Sequence, residues 1–485
     1  MPADADPMDV RYNLIQWVHR STRGWSYGSS VRDPRTGEII KGHVSLGSLR
    51  VRQDFLIAQG LLSPYEKGAV NPDDKMMQMA LMRLRQLSAH EVGHTIGLAH
   101  NFASSVNDRA SVMDYPHPYI SVGGDGELDF TNAYDVGIGA WDKRTIMYGY
   151  MDFPEGTDEA AALKEILDEN NRMGLKYISD RDARPAYGAH PTGHLWDNGP
   201  NAAQELSRLL QVRKQALAKF GENSIRDNTP MATLENVLVP LYLAHRYQVE
   251  GTVKLIGGVD YNYANKGDGQ TAAKIVPAAI QQEALQSLLE TLDPTNLSLS
   301  NEILELIPPQ PMGYQRDREL FKIHTGLTFD PLGAAEAAAA HTINMLLQKE
   351  RMARMIEQHA RDGSQMSLNE FLSRLAVALN AKDGYSPLEQ EIARSVEKLF
   401  VLRLLGIAAS TEGNQQVNAV ALLKINELAE LMSRAGKSSS DPKEQAHYLY
   451  LIQKVAAFRL NPEEFQLPAA PKLPDGSPIG CEGIH

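Results

Sequence analysis

The chain has 485 residues, long enough for roughly two to four domains that each bury a sizeable core. Lys and Arg total 48 against 60 Asp and Glu, a formal net charge of -12, which argues against nucleic acid or an anionic membrane surface as the main partner. A single cysteine, Cys481 in a Gly-rich tail, excludes an internal disulfide, and no run of about 18 apolar residues offers a transmembrane segment.

The opening MPADADPMDV has neither a basic stretch nor an apolar one, so it does not read as a signal peptide. Residues 9–18 read as a strand, and SYGSSVRDP followed by GEIIKGHVSLGS as a hairpin turning at Pro34 and Gly37. A strand of this sheet lying beside a catalytic helix can pair with an extended peptide, reading its backbone and not its sequence. Asn71-Pro72-Asp73 resembles a helix cap and first turn, after which Met77, Leu81, Leu84 and Leu87 recur at helical spacing as expected core positions.

That helix runs into HEVGHTIGLAH. Residues four apart on a helix share a face, so His90 and His94 can offer ring nitrogens to one metal ion. Glu91 falls on the flank of that face, where its carboxylate reaches a metal-bound water and not the metal, making it the candidate general base. Gly97 can take the positive φ that ends the helix and folds His100 back as the third ligand. Three neutral histidines leave an open position, which favours catalytic Zn²⁺ over a closed structural site. A bare HExxH is a weak signal, since any amphipathic helix can carry it; the spaced glycine and third histidine make it a strong one. Met113 in SVMDYP and Tyr115 before Pro116 would, taken alone, be packing residues.

Beyond Tyr115, the glycines of GGDG at 123–126 read as a tight turn and not a calcium loop, because the acidic ligand spacing is incomplete. WDKRTIMYGY at 141–150 reads as a helix closing a catalytic unit near residue 155. The stretch up to about 200 is rich in Pro, Gly, Asp and His. Its His190 and His194 have ligand-like spacing, but Pro191 and Gly193 argue against the helix that would align them, so residues 156–200 read as a linker packed on the catalytic unit. From 201 to 485 the pattern is helical: Ser367 with Glu370 and Ser386 with Glu389 look like capping boxes, and Ile392, Val396, Leu399 and Phe400 mark one buried face.

The signature HExxHxxGxxH followed by a methionine turn resembles that of the metzincin metalloproteases. The likeness is closest to bacterial proteins with an EcxA-like zinc-binding domain, through HEVGHTIGLAHNF, SVMDYP, DVRYNLIQWVHRS, DPRTGEI, WDKRTIMYGY and LWDNG, and so runs over nearly the whole chain. The resemblance implies an α+β metzincin-like catalytic domain over residues 1–155, with a small twisted sheet and an active-site helix, followed by the mainly α-helical region. It implies that Met113 forms a hydrophobic floor beneath the histidines, and that the Tyr115 hydroxyl approaches the zinc or a developing oxyanion. It also implies secretion or a cell-envelope location. Family members open with a strand and a long backing helix that would precede RYNLIQWV, so the chain reads as N-terminally truncated relative to them.

The activity expected is hydrolysis of peptide bonds in peptide or protein substrates by a zinc metalloendopeptidase, Glu91 moving the proton and Tyr115 with the zinc holding the oxyanion. The competing reading is a non-catalytic zinc-containing protein whose helical region binds a partner.

Overall fold

A computed structural model describes all residues except 1, 3, 4, 20–25, 125, 381–383, 467 and 477–485. Cys481, and Asp125 of the GGDG turn, lie outside the described residues.

The chain opens with three strands, β1 (Leu14–Val18), β2 (Tyr27–Arg32) and β3 (Ile39–Gly47), in the order β1-β3-β2. β1 runs parallel to β3, from Leu14 opposite His43 to Val18 opposite Gly47. β2 and β3 form the expected hairpin, with Gly37 at φ +77° in its turn. The strand expected over 9–18 starts only at Leu14. Before it, the Asp9 carboxylate caps the amide of Arg11, and the carbonyls of Pro7, Asp9 and Tyr12 all accept from the buried Lys41 ammonium, so this backbone spends its acceptors on a side chain and not on a ladder.

Helix α1 (Leu49–Leu62) is not legible in the sequence. Its inner face carries Arg50, Gln53 and Asp54, all buried, which hide the apolar period. The arrangement is self-satisfied: Arg50 and Asp54 pair at 2.6 Å, and the Tyr134 hydroxyl donates to Asp54.

Helix α2 (Asp74–Thr95) packs along α1 and beneath the sheet. Its buried stripe is Met76, Met79, Ala80, Arg83, Leu87 and His90, while Met77 and Leu81 are 44% and 41% exposed. Of the expected positions Leu87 is buried and Leu84 partly so, but at Met77 and Leu81 the buried stripe runs one position earlier, through Met76, Ala80 and the buried Arg83 that an apolar periodicity skips. Val44 and Leu46 of β3 meet Leu87 in a small cluster that fixes the sheet on the helix.

After the site come a short hairpin, β4 (Ser121–Val122) with β5 (Leu128–Asp129), and helices α3 (Ala140–Tyr150), α4 (Glu159–Arg172) and α5 (Asp180–Ala183). The remainder is mainly helical, starting with α6 (Ala202–Lys219), α7 (Leu234–Tyr242) and α8 (Arg246–Val253), broken by one hairpin, β6 (Val259–Tyr261) with β7 (Ala273–Ile275). In the helix Pro387–Ala409 the Ser386–Glu389 capping box closes in both directions, and Ile392, Val396 and Phe400 are buried with Leu399 partly so. The Ser367 hydroxyl also caps its helix by accepting from the Glu370 amide. The largest apolar cluster runs from Ile57 to Phe458, so α1 and the helical region share one core. Among the described residues no helix is long and apolar enough to cross a membrane.

Candidate metal centre

α2 delivers His90 and His94 one turn apart and then stops. Gly97 adopts φ +89°; its amide donates to the His94 carbonyl at 3.1 Å and that of Leu98 to the Gly93 carbonyl at 3.0 Å, a pair of bonds that closes a helix on a left-handed residue. The chain then doubles back, and His100 meets the other two. The Nε2 atom of His94 lies 3.1 Å from Nε2 of His90 and 3.1 Å from Nε2 of His100.

Each ring is aimed from behind. Nδ1 of His90 donates to the Val112 carbonyl at 2.6 Å, Nδ1 of His94 to the Leu98 carbonyl at 2.9 Å, and Nδ1 of His100 to the Asp180 carboxylate at 2.9 Å. These bonds leave all three Nε2 lone pairs facing a common point, the donor set of a His₃ metal site. Burial, together with the neighbouring imidazoles, holds His90 well below the usual histidine range and lowers His94 to about 4, so these two rings are neutral at physiological pH. Among the described residues no other group of three or more His, Cys, Asp or Glu side chains converges in this way. Three imidazole nitrogens pointed at one another, two of them on buried rings, fit a divalent cation such as zinc.

Glu91 is fully buried, and among the described residues neither carboxylate oxygen has a side-chain hydrogen-bond partner. Burial raises it to about 8, outweighing the Arg83 charge and the nearby Gly28 amide. β2 presses directly on this residue: a Cβ on Gly28 would collide with the Glu91 carbonyl oxygen, so only glycine lets the strand lie there.

Met113 is wholly buried, and its Sδ fills the space that a Cβ on Gly93 would need. The methionine thus packs against the helix between the first two histidines. Asp142 of α3 holds the turn by accepting from the Ser111 hydroxyl and the Val112 amide.

Tyr115 is buried against His100 and His90, with ring centroids 4.9 and 5.5 Å away, and against Trp196 at 4.7 Å. Its hydroxyl accepts from the Arg184 guanidinium at 3.1 Å. Asp180 and Arg184, which no sequence pattern singles out, complete the site: Arg184 also pairs with Asp180, and burial of Asp180 is outweighed by the bonds from His100 and Arg184, which bring its carboxyl down to about 2. Both lie in the segment that reads as a linker, and Asp180 stands 80 positions after the histidine it orients, so no local motif marks it. His190 and His194 are buried elsewhere, His190 on the Tyr261 carbonyl.

A family model described as Met-zincin matches residues 72–385. No curated protein and no solved structure is matched.

Proposed function

The chain belongs to the Met-zincin family, and from that premise we propose that it is a zinc-dependent metallopeptidase that hydrolyses peptide bonds with Glu91 as general base. The observation that carries the proposal is the convergence of three Nε2 atoms next in the chain to the buried Glu91 carboxylate, which has no side-chain hydrogen-bond partner among the described residues. His90, His94 and His100 would hold the zinc ion, which when bound would supply Lewis acidity to a substrate carbonyl and to a water molecule. Glu91, its carboxylate brought to the ionised form by the charge of the bound cation, would take the proton of the attacking water and return it to the departing amine. The Tyr115 hydroxyl, polarised by Arg184, is the protein donor for the developing oxyanion.

β2 is an edge strand that lies on Glu91, so an extended substrate adds antiparallel to it and brings its scissile bond over the base. In this proposal residues 1–155 form the catalytic unit, residues 156–200 complete it through Asp180 and Arg184, and residues 201–485 form a helical support. Kinship with bacterial EcxA-like proteins belongs to the same proposal and rests on the shared sequence segments. The non-catalytic alternative is disfavoured by the lack, among the described residues, of a fourth protein ligand in the cluster. The test is cleavage of unfolded casein by the purified chain: activity abolished by a chelator and restored by one equivalent of zinc supports the proposal, and cleavage indifferent to chelation contradicts it.

A further inference from the structure

α5 is a single turn, Asp180–Ala183, closed by Arg184. Two contacts of the metal centre depend on it: Asp180 behind His100, and Arg184 on the Tyr115 hydroxyl. One isolated turn has no stability of its own, because nucleating a helix costs more than its first hydrogen bonds return. Its place is therefore set by what grips it. Ahead of the turn, the Phe102 amide donates to the Ile178 carbonyl and the Ile178 amide to the Asn101 side chain, which fixes the chain as far as Ile178. The turn itself is gripped by residues 254–263 of the helical region.

Asp182 stands two positions after Asp180, so on a helix it points to nearly the opposite side. Its carboxylate accepts from the Tyr261 hydroxyl at 2.5 Å, from the Tyr263 hydroxyl, and from Ser179 at 3.4 Å. Burial raises this carboxyl, but the three hydroxyl donors outweigh it and hold it below the usual carboxylate range, so Asp182 is an anionic acceptor. The Tyr263 oxygen also accepts from the Ser179 amide at 3.2 Å, at the start of the turn. At its end the buried Lys254 ammonium donates to the Ala183 carbonyl and, at 2.7 Å, to that of Gly193.

The clamp is itself anchored. Lys254 directly follows α8, and Tyr261 ends β6, with Tyr263 two residues further along the same extended chain, so both tyrosines leave the same face. The Val259 amide donates to the Ala189 carbonyl at 2.9 Å, Nε2 of His190 lies 2.9 Å from the Tyr261 carbonyl, and Lys176 pairs with Asp260 at 2.8 Å. With Asp182 released the turn is free to rotate or fray, and the side chain carried out of place is Asp180.

We propose that Tyr261 and Tyr263 are positioning residues of the metal centre: by holding Asp182 they fix α5 so that Asp180 keeps its bond to His100. The proposal rests on the zinc-site reading and adds to it that the helical region takes part in the site.

The experiment measures the zinc dissociation constant of the full chain by competition with a chromogenic chelator, in a double-mutant cycle. Tyr261→Phe with Tyr263→Phe removes two hydroxyls and leaves both rings. Loss of a ligand's direct outer partner costs about 10–100-fold in metal affinity, so these more remote substitutions should weaken zinc by about 5–10-fold, and Asp182→Ala by a similar factor. In a chain already carrying Asp180→Ala, the same two Phe substitutions should change zinc affinity by less than about twofold, because the residue they act through is gone. A merely structural contribution would instead lower the melting temperature in excess chelator and leave zinc affinity alone, or weaken it equally in both backgrounds. Unchanged affinity in the Phe variant of a zinc-binding parent, or an equal loss with and without Asp180, overturns the proposal and leaves the metal centre standing; a parent that binds no zinc overturns both.

Discussion

Asp180→Ala removes a carboxylate that never touches the metal, yet it should loosen the metal. The Asp180 carboxylate accepts from Nδ1 of His100 at 2.9 Å and pairs with Arg184, while His100 is itself 5% exposed at its side chain. Without it the imidazole loses the bond that fixes its tautomer and ring angle. Loss of such an outer partner typically costs about 10–100-fold in metal affinity, or about 1.4–2.8 kcal/mol. Asp180→Asn keeps an acceptor and gives up only the charge, so it should fall at the lower end, near about tenfold, and Ala near about 100-fold. Zinc dissociation constants by competition with a chromogenic chelator resolve these steps, with circular dichroism confirming the fold. Affinities for both variants within about twofold of the parent would refute the assignment of Asp180 as the residue that orients His100.

Gly28→Ala should cost about 1–3 kcal/mol by overpacking and, by moving β2 off the helix by the order of an ångström, about 100-fold in peptide cleavage, with bound zinc unchanged by metal analysis. Gly97→Ala, at φ +89°, should lower stability by about 1–2 kcal/mol in chemical denaturation and weaken zinc binding, because the strained turn sets the approach of His100. Acid should destabilise the fold independently of the metal. Burial holds His117, His190 and His341 each down to about 4, below the unfolded value near 6.5, so their contribution is complete above pH 6.5 and is lost as pH falls toward 4, each tenfold difference in proton affinity between the folded and unfolded chain being worth about 1.4 kcal/mol. Melting temperatures in excess chelator should fall across that window, and His341→Gln should flatten the slope; a flat profile for the parent would contradict this.

What can be read from the sequence is what short-range chemistry dictates. The ligands, base and helix-ending glycine lie within eleven consecutive residues, and each role follows from helical spacing or backbone freedom. Met113 is marked by its distance from His100, and Gly93 is the residue that makes room for it. What escapes is set by tertiary partners. Asp180 and Arg184 are ordinary charged residues until the chain brings them behind His100 and Tyr115. α1 is hidden because Arg50, Gln53 and Asp54 are buried on its inner face, and the first turns of the α2 stripe are misplaced because Arg83 is buried where periodicity calls for an apolar residue. In each case a buried polar residue breaks a pattern that assumes polar residues face water.

The most direct test of the central claim is Glu91→Ala in the full chain, measured for both zinc content and peptide cleavage. Glu91 is not among the converging nitrogens, so the variant should retain about one zinc per chain while losing most turnover, on the order of 100-fold or more. Cleavage at the parent's rate by the zinc-replete variant would contradict the account.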